Sequence, residues 1–461
     1  MVSGRLVILA GMACSNDPNP MPVTESPAPT VTQVMPATAA NNGMTAITLS
    51  GTNFRADATV QVGSTACDSV LVISPTQITC TYPGSALTCG GQSITVTNHT
   101  VPDTGGSSQS GTLSASMGLK LTGTFGFAPA ASFAVGTYPY SMVVRDFNGD
   151  GKLDIATANS DGNNVNVQLG NGTGGFAAAA AFAVGTSPHS IAAGDFNGDG
   201  KLDLAAANSG NNNVSVLIGN GTGGFAAAAN FAVGANPYSV AVGDFNGDGK
   251  PDLVVANFDD ANVSVLLGNG AGGFAAATNF AIGSVPLFVA VGDFNGDQKP
   301  DLATTSGGTN VSVLLGDGVG GFGAATNFAV GSKPQSIAVG DFNGDGKLDL
   351  ATANLGDNNV SVLLGNGAGA FAAATNFAVG AAPQSIATAD FNGDGKPDLV
   401  TLSFNASVLL GNGAGGFAAA ANFAVGDSAY AVSVGDFNAD GKLDIATTKA
   451  HTVSVLLQSC Q

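Results

Sequence analysis

The sequence predicts an all-β protein in which a small N-terminal β-sandwich precedes a seven-bladed β-propeller. Three observations carry this expectation. A nine-residue stretch, first met as Asp146-Phe147-Asn148-Gly149-Asp150-Gly151-Lys152-Leu153-Asp154, recurs with its first Asp at Asp195, Asp244, Asp293, Asp341, Asp390 and Asp436. Spacing this regular marks a repeat architecture in which each unit is one supersecondary element. Each unit also holds four strand-like runs, in the third copy Ser239 to Gly243, Leu253 to Asn257, Val263 to Gly268, and Phe274 through Phe280 to Gly283. Four strands in ~45 residues is the pattern of propeller blades set around a channel. Finally, the 27 residues from Leu119 to Arg145 and the 26 from Asp436 to Gln461 together approximate one repeat. The seventh blade is therefore expected from both ends of the array, which removes the exposed edge of an open one.

From the beginning of the chain, residues 1–14 carry Arg5, a short apolar run from Leu6 to Ala13, and then Cys14. This resembles a bacterial lipoprotein signal with Cys14 as the lipidation point. Gly11 and Met12 depart from that pattern, and failing it Cys14 is an ordinary thiol. Residues 15–29 are Pro-rich and read as an extended tether. No later stretch has the ~18 consecutive apolar residues of a membrane span. The expected location is extracellular or at the cell surface of a bacterium, secreted or lipid-anchored.

Residues 30–101 change to alternating strands with turn punctuation, at 46–54, 58–63, 77–83 and 92–98, as in a small β-sandwich. Cys67, Cys80 and Cys89 fall within it, and Cys460 stands near the C-terminus. Four thiols allow three connectivities. A Gly/Ser-rich linker at 102–118 leads to the propeller at 119–461.

The recurring stretch reads as a calcium loop by its chemistry. Oxygen side chains at its first, third, fifth and ninth positions, a backbone carbonyl at the seventh and Gly at the sixth suit a hard cation with six to eight oxygen ligands. The first set is Asp146, Asn148, Asp150 and Asp154 with the carbonyl of Lys152; the second is Asp195, Asn197, Asp199 and Asp203 with Lys201. Next come Asp244, Asn246, Asp248 and Asp252 with Lys250, then Asp293, Asn295, Asp297 and Asp301 with Lys299, and Asp341, Asn343, Asp345 and Asp349 with Lys347. The last two are Asp390, Asn392, Asp394 and Asp398 with Lys396, and Asp436, Asn438, Asp440 and Asp444 with Lys442. An EF-hand begins alike but has helical flanks and a Glu at position 12, whereas these loops join β-type runs. A tight Asx/Gly turn that binds nothing is the plainer alternative. It does not call for three carboxylates in nine residues, because close like charges destabilise.

Composition agrees with up to seven Ca²⁺. Of 32 acidic residues only Glu25 is Glu, and seven such ions would bring the formal net charge from −19 to −5. The acidity argues against a nucleic-acid partner.

Two family resemblances follow from these residues. Residues 30–101 resemble the IPT/TIG family of immunoglobulin-like domains through Val34-Met35-Pro36 leading to Gly43, the Ser-Gly-Thr-Asn-Phe run at 50–54, and Cys67 with Cys80. That resemblance favours a disulfide between Cys67 and Cys80 and leaves Cys89 and Cys460 free to remain thiols. The repeats resemble the FG-GAP/VCBS family, whose relatives include integrin α headpieces. The carriers are the Asp-Phe-Asn-Gly-Asp-Gly-Lys-x-Asp loop and the Gly-Gly-Phe turn, as at Gly174-Gly175-Phe176 and Gly272-Gly273-Phe274. The resemblance implies calcium in loops joining strands one and two on one face, with ligand contact on the opposite face. Gln298 and Ala439 depart from the loop pattern. Only Gln298 is expected to weaken its site, since the sixth position is where the turn needs Gly.

The opposite face is expected to carry Tyr138, Tyr140, His189, Tyr238, Phe288 and Tyr430 from connections between blades, with Phe258, Phe404 and His451 from turns between strands two and three. Tyr and His suit recognition because they combine an apolar body with a polar tip; drift of surface loops is the alternative reading. Nothing resembles an active site: His99, His189 and His451 are scattered, and no Gly-x-Ser-x-Gly or His-Glu-x-x-His motif occurs. The expected function is non-catalytic, a calcium-binding surface protein mediating adhesion or protein–protein contact. The alternatives are a calcium-dependent lectin, against which the absence of Trp counts, and an accessory module of a polysaccharide-degrading or lyase system. The partner is a surface protein or a glycan, and membrane contact is expected only through the lipid.

Overall fold

The computed structural model describes residues 30–35, 38–39, 45–62, 65–82, 90–97, 118–121, 125–426 and 429–460. Cys14, the tether at 15–29, Pro36, Gly43, Cys89, His99 and the linker up to residue 117 lie outside them. The chain divides into two compact units, most of residues 1–119 and the stretch from Lys120 onward. No helix among the described residues is long and apolar enough to cross a membrane.

The first unit has two sheets. One is ordered Thr30–Met35, Thr45–Thr52, Gln77–Tyr82, Asp68–Ser74; the other Thr38–Ala39, Gly118–Leu121, Gly90–Thr97, Thr59–Val62, Thr65–Ala66. Alternation along Thr45–Thr52 turns Ile47 and Leu49 fully inward, opposite Cys80 and Ile78 of the paired strand, and Val60 and Val96 of the other sheet are buried as well. Gly118–Leu121 thus pairs within the sandwich at the point where the sequence suggested that the linker ends.

The second unit is a ring of seven four-stranded antiparallel sheets. In the first, Pro139–Arg145, Asp154–Asn159, Asn164–Gln168 and Ala180–Ala183 follow in sequence order. The next five repeat this order, their first strands being Pro188–Gly194, Pro237–Gly243, Pro286–Gly292, Pro334–Gly340 and Ser385–Ala389. The seventh takes Ala429–Gly435, Asp444–Lys449 and Thr452–Leu456 from the C-terminus and Ala131–Ala134 from the far end of the unit as its outermost strand. First strands lie beside first strands all the way round, and the seventh adjoins the first. Closure by both termini is as the sequence indicated.

Second and third strands are buried along nearly their whole length because each blade is covered on both faces by its neighbours. Their Ala, Val and Leu residues are small enough to allow that approach. Wider gaps between blades are filled by three Phe rings. Phe245 of the third loop meets Phe322 of the next blade edge-to-face at 5.6 Å, and Phe322 meets Phe280 of the third outer strand at 5.4 Å. The same three-ring contact recurs at Phe147, Phe225 and Phe182 and around the ring. Between the sixth and seventh blades the middle ring is Phe127, on Phe125–Phe127, a strand paired with Gln458–Cys460.

Candidate functional site

All seven candidate loops join first to second strands at one end of their blades. In the first, Asp146 Oδ1 accepts the backbone N–H groups of Asn148, Gly149 and Asp150 at 3.2, 2.7 and 3.3 Å, and its Oδ2 accepts that of Gly151 at 2.8 Å. Asn148 Oδ1 accepts from Asp150 N at 2.9 Å, and Asp150 Oδ1 from Lys152 N at 3.0 Å. The backbone wraps around its own acidic side chains because Gly149 and Gly151 take φ of 74° and 79°. Asp150 also ion-pairs with Lys152 at 3.2 Å, and every loop repeats this pair.

The ninth-position Asp behaves differently from the expectation that all four side chains converge. Asp154 is fully buried, its Oδ2 accepting Phe147 N at 2.9 Å and its Oδ1 accepting Gly170 N at 2.8 Å. Asp203, Asp252, Asp301, Asp349 and Asp398 make the same two bonds, and Asp444 substitutes Gln458 N for the glycine amide. Six of these carboxylates tie their loops to the turn between strands three and four, and Asp444 ties its loop to the segment that follows the third strand of the seventh blade. Their oxygens are committed first to buried amides, which would otherwise lack partners.

Among the described residues no three His, Cys, Asp or Glu side chains close on one point as a metal cluster. The donor set nevertheless fits a hard cation: side-chain oxygens at the first, third and fifth positions surround the loop, with no nitrogen or sulfur donor among them. A carboxylate oxygen that accepts one N–H retains a further lone pair. The charge is also unbalanced, since burial and then the neighbouring Asp146 and Asp150 push the Asp154 carboxyl up. In the sixth and seventh loops Asp398 and Asp444 are raised to about 6, burial again leading.

Both departures from the loop pattern are strained. Gln298 stands at φ 66°, as expected of a residue replacing the sixth-position Gly. Ala439 stands at φ 58° and corrects the reading that its replacement is harmless: the fourth position is left-handed too, as Gly149 shows.

At the other end of the blades the first strands begin with β-bulges. Register skips Tyr140, His189, Tyr238 and Gln335 singly, and Leu287-Phe288 and Tyr430-Ala431 as pairs. A bulge re-aims the extra side chain out of the ladder. Here it brings rings from separate blades together. Phe258, Tyr238, His189 and Tyr140 stack in turn at 5.0, 4.4 and 4.6 Å, with interplanar angles of 27°, 27° and 22°. Tyr140 then meets Tyr430 at 4.8 Å, Tyr430 meets Tyr138 at 6.4 Å, and Tyr138 meets His451 at 6.0 Å, all tilted. Tyr138 N donates to Ala450 O, and Tyr138 O accepts from Ser160 N. The two sets of loops therefore share one face, as the sequence suggested.

Seven of the nine face candidates form this single arc. Phe404 stands apart, exposed. Phe288 does not belong to the face: Leu287 holds the position that Tyr140, His189 and Tyr238 occupy after their prolines, and Phe288, one residue further along the strand, packs against the core around Phe294 and Val311. Burial, then Tyr430 and Asp161, raise the Tyr140 hydroxyl, and burial lowers His189, whose imidazole is thereby neutral near pH 7.

In the first unit Cys67 and Cys80 are buried and free; the disulfide that the resemblance favoured is not formed there.

This architecture defines a repeat propeller preceded by an immunoglobulin-like sandwich. FG-GAP-like repeat models match residues 146–206, 195–255, 244–304, 293–352 and 346–401, and an FG-GAP repeat model matches 428–456. An IPT/TIG domain model matches residues 29–115. The chain belongs to the FG-GAP-like repeat family. Among curated proteins none matches it. Similar solved structures include an auxiliary nutrient binding protein from Bacteroides ovatus, with 11% identity, a TM-score of 0.49, and coverage of 94% of this chain and 98% of that one. Another is an auxiliary nutrient binding protein from Bacteroides thetaiotaomicron, with 9% identity, a TM-score of 0.44, and coverage of 94% and 98%.

Proposed function

We propose that this chain is a non-catalytic, calcium-stabilised binding protein of the cell exterior, contacting a surface partner through the aromatic face of its propeller. The observation that carries the reading is the arc itself. Near-identical repeats place unlike aromatic side chains only at the bulged positions and turns of one face. Rigid, preorganised Tyr rings offer contact area at little cost in side-chain entropy. Calcium, when bound, supplies positive charge to loops whose first, third and fifth side chains would hold it, and so rigidifies the end of the ring opposite the arc.

A role in catalysis is disfavoured by seven near-equivalent acidic loops, since a reaction centre is usually unique. The test pairs two measurements. Chelation should lower the melting temperature, with elemental analysis finding calcium in the untreated protein, and Tyr140→Ala should weaken capture of surface proteins without lowering that temperature. Turnover of a polysaccharide-lyase substrate panel, or a melt indifferent to chelation, would overturn the reading.

A further inference from the structure

We propose that the tilted end of the arc, where the first and seventh blades meet, is a cage for an alkylammonium ion. This rests on the reading that the aromatic face binds.

The two halves of the arc differ in what they leave open. From Phe258 to Tyr140 the rings lie almost parallel, so each covers the flat side of the next and little is left for a ligand to stack upon. From Tyr140 onward the planes open, at 46° to Tyr430, 54° between Tyr430 and Tyr138, and 58° between Tyr138 and His451. Tyr138 is 37% exposed and His451 is exposed, so this end of the arc presents ring surface to solvent. The negative face of an aromatic ring attracts a cation within about 6 Å of its centroid.

Charge at the margin points the same way. Asp161 is exposed and near enough to Tyr140 to disfavour ionisation of its hydroxyl. It follows Ser160, whose N–H is bonded to the Tyr138 carbonyl. Tyr138 itself is held at φ 52° and left 37% exposed. The same left-handed backbone recurs at Ser187, Asn236, Lys333 and Ala382, so it belongs to the turn of the repeat, and what is particular to Tyr138 is its exposed ring.

A neutral sugar would use the same rings but gain nothing from Asp161. The chain lacks Trp, and four of its five Tyr lie in the arc, so intrinsic tyrosine fluorescence reads the site directly. Calcium-saturated full-length protein would be titrated with tetramethylammonium, choline, N-acetyl-lysine methylamide, the neutral choline isostere 3,3-dimethylbutanol, and cellobiose. The cations should change the emission saturably, and the isostere should bind at least about tenfold more weakly. Tyr138→Ala and Tyr430→Ala should each weaken cation binding about tenfold, Asp161→Asn by a smaller factor, and Tyr138→Phe should restore it. Choline against the lysine amide separates a quaternary headgroup from a protein side chain as the source. Equal binding of choline and its isostere overturns the cage, as does binding of cellobiose alone; if arc variants abolish the cellobiose signal, the binding face stands. Partner capture unaffected by every arc variant overturns that face as well. Variants are compared only where they melt within a few degrees of the wild type; Asp161→Asn, exposed at a turn, keeps the test open if a Tyr variant does not fold.

Discussion

Gln458 donates its side-chain Nε2–H to the carbonyl of Phe391 at 2.7 Å, buried from solvent and across 67 residues of chain. At the other six blade contacts the corresponding Phe carbonyl accepts a backbone N–H from a glycine of the next turn, as Gly223 gives to Phe147 and Gly272 to Phe196. The seventh blade has no such turn, and a side chain replaces the missing amide. Gln458→Leu should leave that carbonyl unpaired and cost roughly 1–3 kcal/mol, read as a lower denaturant midpoint. An unchanged midpoint would mean that the carbonyl has found another donor.

Ala439→Gly should stabilise the calcium-free protein by about 1 kcal/mol, since it relieves a left-handed L-residue. Gln298→Gly should do the same and also tighten calcium binding at the fourth loop, whose Gln298 N–H already donates to Asp293. Calorimetric titration against the wild type checks both, and an affinity lowered by Gln298→Gly would show that the loop geometry is wrong.

Asn257 Oδ1 and Asn208 Oδ1 are buried without a hydrogen-bond partner. In the first and fifth blades the matching oxygens are satisfied, Asn159 by Thr157 at 3.1 Å and Asn354 by Thr352 at 2.9 Å. Val255 stands at the threonine position of the third blade. Val255→Thr, which usually destabilises a core, should here be neutral or stabilising by up to about 1 kcal/mol, because the hydroxyl finds a waiting acceptor. A melting temperature several degrees lower would count against it.

Tyr138→Gly should raise the melting temperature while weakening ligand binding, since strain and recognition reside in one residue. Loss of both together would mean that the ring is chiefly structural.

His189 lies stacked between Tyr140 and Tyr238, and burial holds its pKa below the ordinary value of about 6.5. The unfolded chain then takes up this proton more readily than the folded one. The stability it contributes is present above pH ~6.5 and is lost as pH falls from there through the folded value. His189→Phe keeps a ring in the stack without the proton, so its melting temperature should fall less than the wild type's between pH 7 and 5. Parallel curves would exclude this.

The period of the acidic loops made the ring, its blade count and its closure legible before any coordinates. Phe245, Phe274 and Phe280 recur at matching places in the other repeats, where little else is large enough to fill a blade contact. The role of Asp154 was hidden, since its second partner, Gly170, lies 16 residues on and is brought near only by blade folding. Phe288 looked like its neighbours because it lies in the same Pro-led connection, but it stands one residue beyond the position of Tyr238 and His189, and one step along a strand turns a side chain to the other side. The arc was visible as a set of residues but not as a stack. Its order depends on ring closure, which seats Tyr430 beside Tyr140.

Ser132 and Ser454 share a hydrogen bond across 322 residues, one on the outermost strand of the seventh blade and the other on the strand it covers. At ~5–20 residues per second of synthesis, the earlier strand emerges on the order of 15–60 s before its mate exists. Through that interval Phe176 of the first blade lacks Phe437, its edge-to-face partner in the closed ring. Until the seventh blade has been made, the emerging chain is therefore an unclosed arc of blades.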